Sequence, residues 1–596
     1  MQIPPFIVSC QRIPRRQAYY VKFSINDQLI ERIKALPHES RKWNSGNNSW
    51  ELTTKSLLAI IKIYKGSTKI YFDFGSEDSR KVFISQIKKI ESVEFEKQKA
   101  IKILNQNKEN WIKFKLELEK NYENYSDYVH SFLKEGTKLY KHQIVGIMFA
   151  NEVRNILISN EMGLGKTLQS IGYVEMNKFE KVIVITPNSL KYNFLDEVNS
   201  FTNSKAHIIN WKKNKYTIEE SKYIIVNYEY FNSGNKNYSD DKWNKLNIKK
   251  INCLICDESH RLKSSSVNTF KNIKRIFKTD YFENNLRSML FLSGTPCPNA
   301  AYELYTVLNE ICPLDFPTKE YFMKYYCGMT YNVDGWGYTT DTAEAKLEEL
   351  FYKIAAYTYR KRKIDVLDLP DKIYQKIILE LDNNEQKIYD DLESGVVNEF
   401  TNTIVKNPLT VMLRLRQYVS LLKVKHVKDF VDNILNSGEK IIIVNEWKES
   451  LRELKKIFGD IAGLHDGDIS ADERNKIIKE FRDKDSKMKI LLGTIKTVKE
   501  GLNLTIANKI ILLSQPFSPG EYDQISDRTH RINQLKNVYI FPLVFRETID
   551  EYVFSIVEKK RVGINKVMDN EDYVSNIKES VISEVINKLK EKHNKK

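Results

Sequence analysis

A short apolar run, Ile156-Leu157-Ile158, is closely followed by Met162-Gly163-Leu164-Gly165-Lys166-Thr167 and then by helical spacing. Few folds accommodate that order. The run predicts a buried strand, the glycines a tight loop, and the residues from Thr167 onward a helix. Gly163 and Gly165 let backbone N–H groups converge on an anion. Lys166 adds positive charge for β- and γ-phosphates, and the Thr167 hydroxyl stands at a helix N-terminus, where it can ligate Mg²⁺. The stretch departs from the strict phosphate-loop pattern at Asn160, which stands where the first glycine would be. Taken alone, Gly-Leu-Gly-Lys-Thr also suits an ordinary strand-to-helix turn. The rest of the chain separates these readings.

A chain of 596 residues is too long for one core, so roughly three or four compact units are expected. A hydrophobic share of 41% with 29% charged residues describes a soluble globular protein. The net charge of +16 points to a polyanionic partner, nucleic acid first, or to a solvated lysine-rich surface. The six cysteines (Cys10, Cys253, Cys256, Cys297, Cys312, Cys327) show no disulfide framework. Cys253 and Cys256 form a CxxC inside an apolar run that reads as a strand. Side chains three apart on a strand face opposite sides, so the pair is expected to be core thiols in a reducing compartment rather than zinc ligands. No cleavable apolar leader is seen, and no run approaches the ~18 residues that span a bilayer. The expectation is a soluble intracellular protein, in cytoplasm or nucleoid (nucleus in a eukaryotic host), without a membrane partner.

Residues 1–125 carry no nucleotide motif. Residues 19–23 alternate as a strand and 27–36 have helical spacing. Trp43 and Trp50 flank a turn at residues 45–48, and 54–64 are again helical. This reads as a small α+β module, its tryptophans either a cross-strand pair closing a core or a contact for DNA. Residues 85–120 are a charged helical connector. In residues 126–320 strands and helices alternate, the signature of a doubly wound parallel sheet. Polar residues follow the predicted strands 181–186, 223–227, 251–256 and 289–292, at the carboxyl edge where such sheets bind ligands. One of these edges carries Asp257-Glu258: the aspartate can hold Mg²⁺ and the glutamate can orient and deprotonate an attacking water. Residues 321–435 interrupt the alternation with helical stretches and a basic cluster, Arg360-Lys361-Arg362-Lys363, before a linker at Leu369-Pro370. Alternation resumes over 436–560, and a basic helical tail, 561–596, closes the chain. Helical spacing would set Gln524, Asp527, Arg528 and Arg531 on one face.

In this order the residues resemble the Swi/Snf family of superfamily-two ATPases across residues 137–560. Leu139-Tyr140-Lys141-His142-Gln143 resembles its adenine-reading glutamine motif, and residues 160–169 its phosphate loop, with asparagine where the family usually has aspartate. Asp257-Glu258-Ser259-His260 resembles its DEAH box, with serine replacing alanine. Ser293-Gly294-Thr295-Pro296 resembles the motif coupling hydrolysis to lobe movement, 360–370 the basic linker, and 524–534 the closing arginine motif. The HepA-related annealing-helicase branch is the nearer match, through Glu303-Leu304-Tyr305-Thr306, Gly335-Trp336-Gly337-Tyr338, and Val498-Lys499 in place of a glycine pair before Gly501. Residues 20–52 resemble that branch's HARP substrate-recognition domain, through Ile33-Lys34 and Lys42-Trp43 ahead of Trp50.

The resemblance implies an α/β fold of two RecA-like doubly wound parallel-sheet lobes with helical insertions, plus the N-terminal α+β module. It implies a DNA-dependent ATPase that translocates on double-stranded DNA and rewinds forked or branched DNA. ATP and Mg²⁺ are the implied cofactors; double-stranded and forked DNA are the implied partners, and no protein partner is indicated. Gln143 would read adenine, with Gly163, Leu164, Gly165, Lys166, Thr167 and Gly501 binding the nucleotide and Thr167 and Asp257 the metal. Glu258, Asp257, Lys166, Arg528 and Arg531 would carry the chemistry, the arginines reaching across from the second lobe. A strand-separating or protein-displacing motor shares these motifs; the other alternative is a non-hydrolysing DNA-binding scaffold, against which every nucleotide-site residue argues. A metal-dependent nuclease has no supporting ligand cluster.

Overall fold

The computed structural model describes residues 6–13, 16–36, 40–64, 70–209, 220–231, 251–263, 268–277, 288–331, 338–340, 346–401, 408–499, 502–532 and 534–569. The chain divides into two compact units, residues 1–109 and 110–596. In the first, β1 (Phe6–Arg12), β2 (Ala18–Lys22), β3 (Arg41–Asn44), β4 (Ser49–Thr53) and β5 (Ile70–Asp73) form one sheet in the order β3-β4-β2-β1-β5. β1 and β5 pair in parallel and the other neighbours are antiparallel. Helices Asp27–Lys34 and Thr54–Ile63 start where Asn26 and Thr53 side chains accept the N–H of Leu29 and Ser56. Their apolar faces close a core on Val8, Tyr19, Val21 and Leu52. Trp43 and Trp50 are cross-strand partners with ring centroids 5.3 Å apart, and Trp43 stays 48% exposed.

The second unit contains two parallel sheets. The first is built from β6 (Asn155–Ile158), β7 (Lys181–Thr186), β8 (Ala206–Ile208), β9 (Tyr223–Asn227), β10 (Ile251–Asp257) and β11 (Ser288–Leu292). β12 (Met329–Tyr331) and β13 (Tyr338–Thr340) form a separate ribbon, after which β14 (Thr358–Tyr359) returns beside β6, giving the order β14-β6-β11-β10-β7-β9-β8. The second sheet uses β15 (Lys372–Tyr374), β16 (Ile377–Leu379), β17 (Ile441–Asn445), β18 (Ala462–His465), β19 (Ile490–Thr494), β20 (Lys509–Leu512) and β21 (Val538–Phe545). Its order is β15-β21-β20-β17-β19-β18, with β16 beside the far end of β21. Helices pack on both faces, so the central strands lack alternation: every residue of β7 and of β17 is buried. Ile442 and Val444 enter one core of the second lobe while Ile441 and Ile443 enter the other. The fold is therefore α/β, two doubly wound lobes with helical insertions, plus the α+β unit.

The stretch between the lobes is anchored residue by residue. Leu157, Ser159 and Glu161 donate their N–H groups to the carbonyls of Tyr357, Tyr359 and Lys361. Helix Glu77–Lys120 runs from the first unit into the second, and there its residues Trp111, Lys115 and Glu119, spaced four apart, share one face. Trp111 lies edge-on to Tyr357, the Lys115 ammonium sits 5.6 Å from the Tyr359 ring centre, and Glu119 pairs with Lys361 at 2.8 Å. Three helix turns thus grip alternate residues of the strand leading out of the first lobe. Among the described residues, no helix is long and apolar enough to cross a membrane.

Helix Lys141–Val153 approaches its neighbours closely through Gly146. A β-carbon there would stand 2.3 Å from Gln169 Oε1 and 2.9 Å from a Tyr359 ring carbon. Alanine gains up to ~1 kcal/mol of helix propensity, but overpacking costs about 1–3 kcal/mol, and buried Gln169 and Tyr359 have little room to yield. Gly146→Ala should therefore lower the melting temperature by a few degrees. An unchanged or higher value would refute this packing.

Candidate active site

The phosphate loop joins β6 to helix Lys166–Met176. Gly163 and Gly165 have φ of 86° and 72°, a region L-residues avoid, and the loop turns on them. Asn160 is buried and donates to Gln169 Oε1 at 3.1 Å. Gln169 in turn donates to the Leu164 carbonyl at 3.2 Å, so this asparagine ties loop to helix. The Lys166 ammonium donates to the Asn160 carbonyl at 2.9 Å, and burial lowers its pKa against the pull of Glu258 and Asp257. Thr167 is half-buried on the first turn of the helix. Gln143 closes the back of the loop, accepting the Tyr140 N–H at 2.9 Å and donating to Leu164 at 3.4 Å. It is only 5% exposed, so it acts here on the loop itself.

Asp257 ends β10, and Glu258 follows in a left-handed conformation (φ 51°) that turns the chain sharply. Thr186 donates to Asp257 Oδ2 at 3.0 Å, and the Tyr228 hydroxyl to the Asp257 carbonyl at 2.7 Å. Burial and then the neighbouring Glu258 push the Asp257 carboxyl upward, with Thr186 and Lys166 opposing. Burial acts upward on Glu258 as well, but His260, Lys166 and Arg528 outweigh it and hold Glu258 low. His260 Nδ1 lies 3.3 Å from Glu258 Oε2 and 3.0 Å from Ser293 Oγ, so the acidic pair communicates with Ser293-Gly294-Thr295. Buried Asp257, part-buried Glu258 and the Thr167 hydroxyl beside the loop lysine supply the kind of oxygen donors that suit Mg²⁺.

The second lobe meets this loop directly. A β-carbon at Gly163 would lie 3.8 Å from both Arg531 Cγ and Lys363 Cε. Gln524 donates to Thr295 Oγ1 at 3.3 Å, bridging the lobes. Arg528 donates to the Lys499 carbonyl at 2.5 Å, and Arg531 Nε to the Asp527 carbonyl at 2.9 Å. One expectation is corrected. Gln524, Asp527, Arg528 and Arg531 do not share a helix face, because the helix Pro519–Ser526 stops and Asp527 caps its end. Thereafter Arg528 and Thr529 bond back three residues, to Ile525 and Ser526, and the chain tightens. Gly501 lies outside the described residues, as do residues 332–337, with Gly335 to Gly337, and the tail beyond 569.

Residues not expected to belong to the site are Thr186, Lys363 and Lys372. Lys363 and Lys372 pair with Asp527 Oδ1 at 2.9 and 2.7 Å. Lys363 stood out in sequence only as one of four basic neighbours, and nothing distinguished it from the three that stay part-exposed. A groove of about 770 Å³ opens along the carboxyl ends of the strands, lined by Arg261 from the first lobe and Lys448, Arg474, Thr494, Lys496 and Lys499 from the second.

The SNF2-related domain matches residues 77–423, and the helicase conserved C-terminal domain matches residues 423–533. An uncharacterised ATP-dependent helicase of Mycoplasma genitalium is 26% identical over 439 residues, 69% of this chain and 40% of that protein. The human DNA annealing helicase and endonuclease ZRANB3 is 26% identical over 464 residues, 73% of this chain and 41% of its own length. The chain thus spans about two fifths of these curated relatives. Among solved structures, the Sulfolobus solfataricus SWI2/SNF2 ATPase core in complex with double-stranded DNA aligns with 73% of this chain and 94% of its own, at 23% identity and a TM-score of 0.34.

Gly165 generates a specific expectation. Its φ is positive, and a β-carbon would meet Gln143 Nε2 at 2.1 Å. Gly165→Ala should displace Gln143 and reshape the loop, weakening binding of a fluorescent ATP analogue by at least about tenfold (~1.4 kcal/mol). Wild-type affinity would show that the loop does not cradle phosphates.

Proposed function

The chain belongs to the SNF2-related family, and from that premise we propose that it is an ATP-driven translocase on double-stranded DNA that rewinds forked or branched structures. Phosphates bind the N–H groups of residues 163–167 at the start of helix Lys166–Met176, with Lys166 supplying charge. Thr167 and Asp257 would hold Mg²⁺, which when bound neutralises phosphate charge. Glu258, ionised by its surroundings, accepts the proton of the attacking water. Arg528 and Arg531 answer the charge developing on the transferred phosphoryl group. The observation that carries the reading is the meeting of the RecA-like lobes at Gly163, where Arg531 stands beside the phosphate loop. Hydrolysis then needs both lobes, and opening or closing the cleft shifts one lobe's grip on DNA relative to the other's.

The basic groove at the strand ends supports a duplex held by its phosphates, with salt-sensitive and sequence-independent affinity. By the family resemblance, the strand-end loops at residues 187–190, at Tyr228, at Trp447 and near Thr494 would extend that path, with Arg261 donating to Glu229 beside Tyr228. Rewinding rests on the similarity to a protein named DNA annealing helicase and on the first unit with its half-exposed Trp43. That unit would bias the motor toward forks.

Glu258→Gln should keep nucleotide affinity while lowering duplex-stimulated turnover by about a hundred- to ten-thousand-fold, measured by phosphate release. Full turnover would remove Glu258 as the base. Removing residues 1–109 leaves Trp111, Lys115 and Glu119 on the linker strand. The shortened protein should hydrolyse ATP on linear duplex at a rate within about threefold of the whole chain, yet lose its preference for forked DNA in ATPase and strand-rewinding assays. An unchanged fork preference would reduce the first unit to scaffolding. Strand displacement in place of rewinding would favour the strand-separating motor.

A further inference from the structure

Lys363 belongs by its backbone to the first lobe and by its ammonium to the second. Its N–H donates to Glu161 Oε2 at 2.9 Å, continuing the ladder that fastens residues 357–361 to the strand and loop at 157–161. Its side chain, 3% exposed, passes Gly163 and ends on the second lobe's arginine-bearing turn. There the ammonium donates to the His530 carbonyl at 2.6 Å and pairs with Asp527 at 2.9 Å. Lys372 reaches the same Asp527 oxygen at 2.7 Å, and His530 Nε2 lies 2.7 Å from the Pro370 carbonyl. The linker therefore holds both ends of residues 527–530. The held turn is the one that aims Arg531, whose Nε donates back to the Asp527 carbonyl.

We infer that Lys363 is a positioning residue for ATP hydrolysis, holding the turn at residues 527–531 against the phosphate loop so that Arg528 and Arg531 address the nucleotide bound there. This rests on the hydrolase reading above. Lys363 does not touch phosphate in this role; it acts through Asp527 and the His530 carbonyl. A lysine serving only lobe stability would need neither the turn carbonyl nor the aspartate that precedes both arginines. Losing it should thus leave nucleotide binding in place, because the loop of residues 163–167 remains, while the arginines lose their register with the γ-phosphate.

The test uses the full chain with saturating duplex DNA, reading kcat and KM for ATP by phosphate release and binding by a fluorescent ATP analogue. Lys363→Met and Asp527→Asn should each lower kcat at least about tenfold with KM within about threefold of wild type. The double variant should be no more than about threefold slower than the worse single, as expected of partners in one interaction. Lys363→Arg, which keeps the charge, should recover at least about a third of the lost rate. Wild-type kcat in either variant overturns the inference, and so do multiplicative losses in the double. A defect confined to KM also overturns it, by assigning Lys363 to nucleotide contact. Where Lys363→Met fails to bind the analogue, Asp527→Asn decides by the same criteria. Absence of duplex-stimulated turnover in the unmutated chain instead defeats the hydrolase reading, and the inference falls with it.

Discussion

The chain that leaves the first lobe runs hydrogen-bonded alongside the chain that enters the phosphate loop, from Leu157–Tyr357 to Glu161–Lys361. Side chains on an extended segment point alternately to opposite sides, so this one ladder sends its residues to different places. Tyr357, Tyr359 and Lys361 meet the helix carrying Trp111, Lys115 and Glu119. Arg360 faces away from them and pairs with Asp569 at 2.6 Å, drawing the final described helix onto the linker. Lys363 continues to Asp527. The phosphate loop, the connector helix, the last helix and the arginine turn are thus all referred to one backbone segment, and a shift of that segment must be felt by each.

The buried charges along this path serve geometry more than stability. Taking ammonium and carboxylate groups from water costs several kcal/mol per ion, and a pair recovers that only with good geometry and further hydrogen bonds. Two lysines on Asp527 leave an excess positive charge, and burial pushes the Lys363 ammonium down to about 8 despite the carboxylate. An apolar trio of similar volume would pack there at lower cost. It would not fix the direction of the 527–531 turn, because dispersion contacts are indifferent to small rotations whereas a lysine shared between a carbonyl and a carboxylate is not. The second lobe repeats the pattern at Arg416. Its guanidinium, 1% exposed, donates to the Gln515 carbonyl at 2.6 Å, pairs with Glu446, and lies 3.8 Å from the Phe517 ring centre. Glu446 and Phe517 both line the basic groove, so this arginine holds the groove's wall in shape.

Legibility in the sequence followed how local the cause was. Strands such as Lys181–Thr186 and Tyr223–Asn227 were readable because burial on both faces leaves an unbroken apolar run. The glycine loop at 163–165 and the strand end at Asp257 were readable because positive φ selects glycine and a buried strand leaves an apolar run that stops at a polar pair. β14 was not: it has two residues, and its partner β6 lies some two hundred positions earlier, a pairing no local pattern encodes. β1 and β5 escaped for a related reason, since β5 is four residues long and becomes a strand through its parallel partner. The helix expected over the arginine motif failed because spacing alone cannot see that Asp527 is claimed by two lysines from the linker. Lys363 was invisible for the same reason, as one basic residue in a run of four.

The acidic pair and the loop lysine form a balanced set whose balance explains the strain at Glu258. Asp257 is raised by burial and by its neighbour, while Glu258 is held low by His260, Lys166 and Arg528. Had Glu258 continued the strand, its carboxylate would have pointed to the opposite face from Asp257, away from Lys166. The left-handed turn at φ 51° costs roughly 1–3 kcal/mol. It brings Glu258 under the influence of one cation from each lobe, Lys166 and Arg528. Arg528 is the smallest of the charges that offset burial, so withdrawing it as the cleft opens would let the Glu258 carboxyl rise somewhat toward the ordinary range while His260 and Lys166 still hold it low. Because His260 also touches Ser293, whose hydroxyl oxygen accepts the Thr295 N–H, and Thr295 in turn accepts from Gln524, Glu258 is joined to the second lobe through a single chain of contacts.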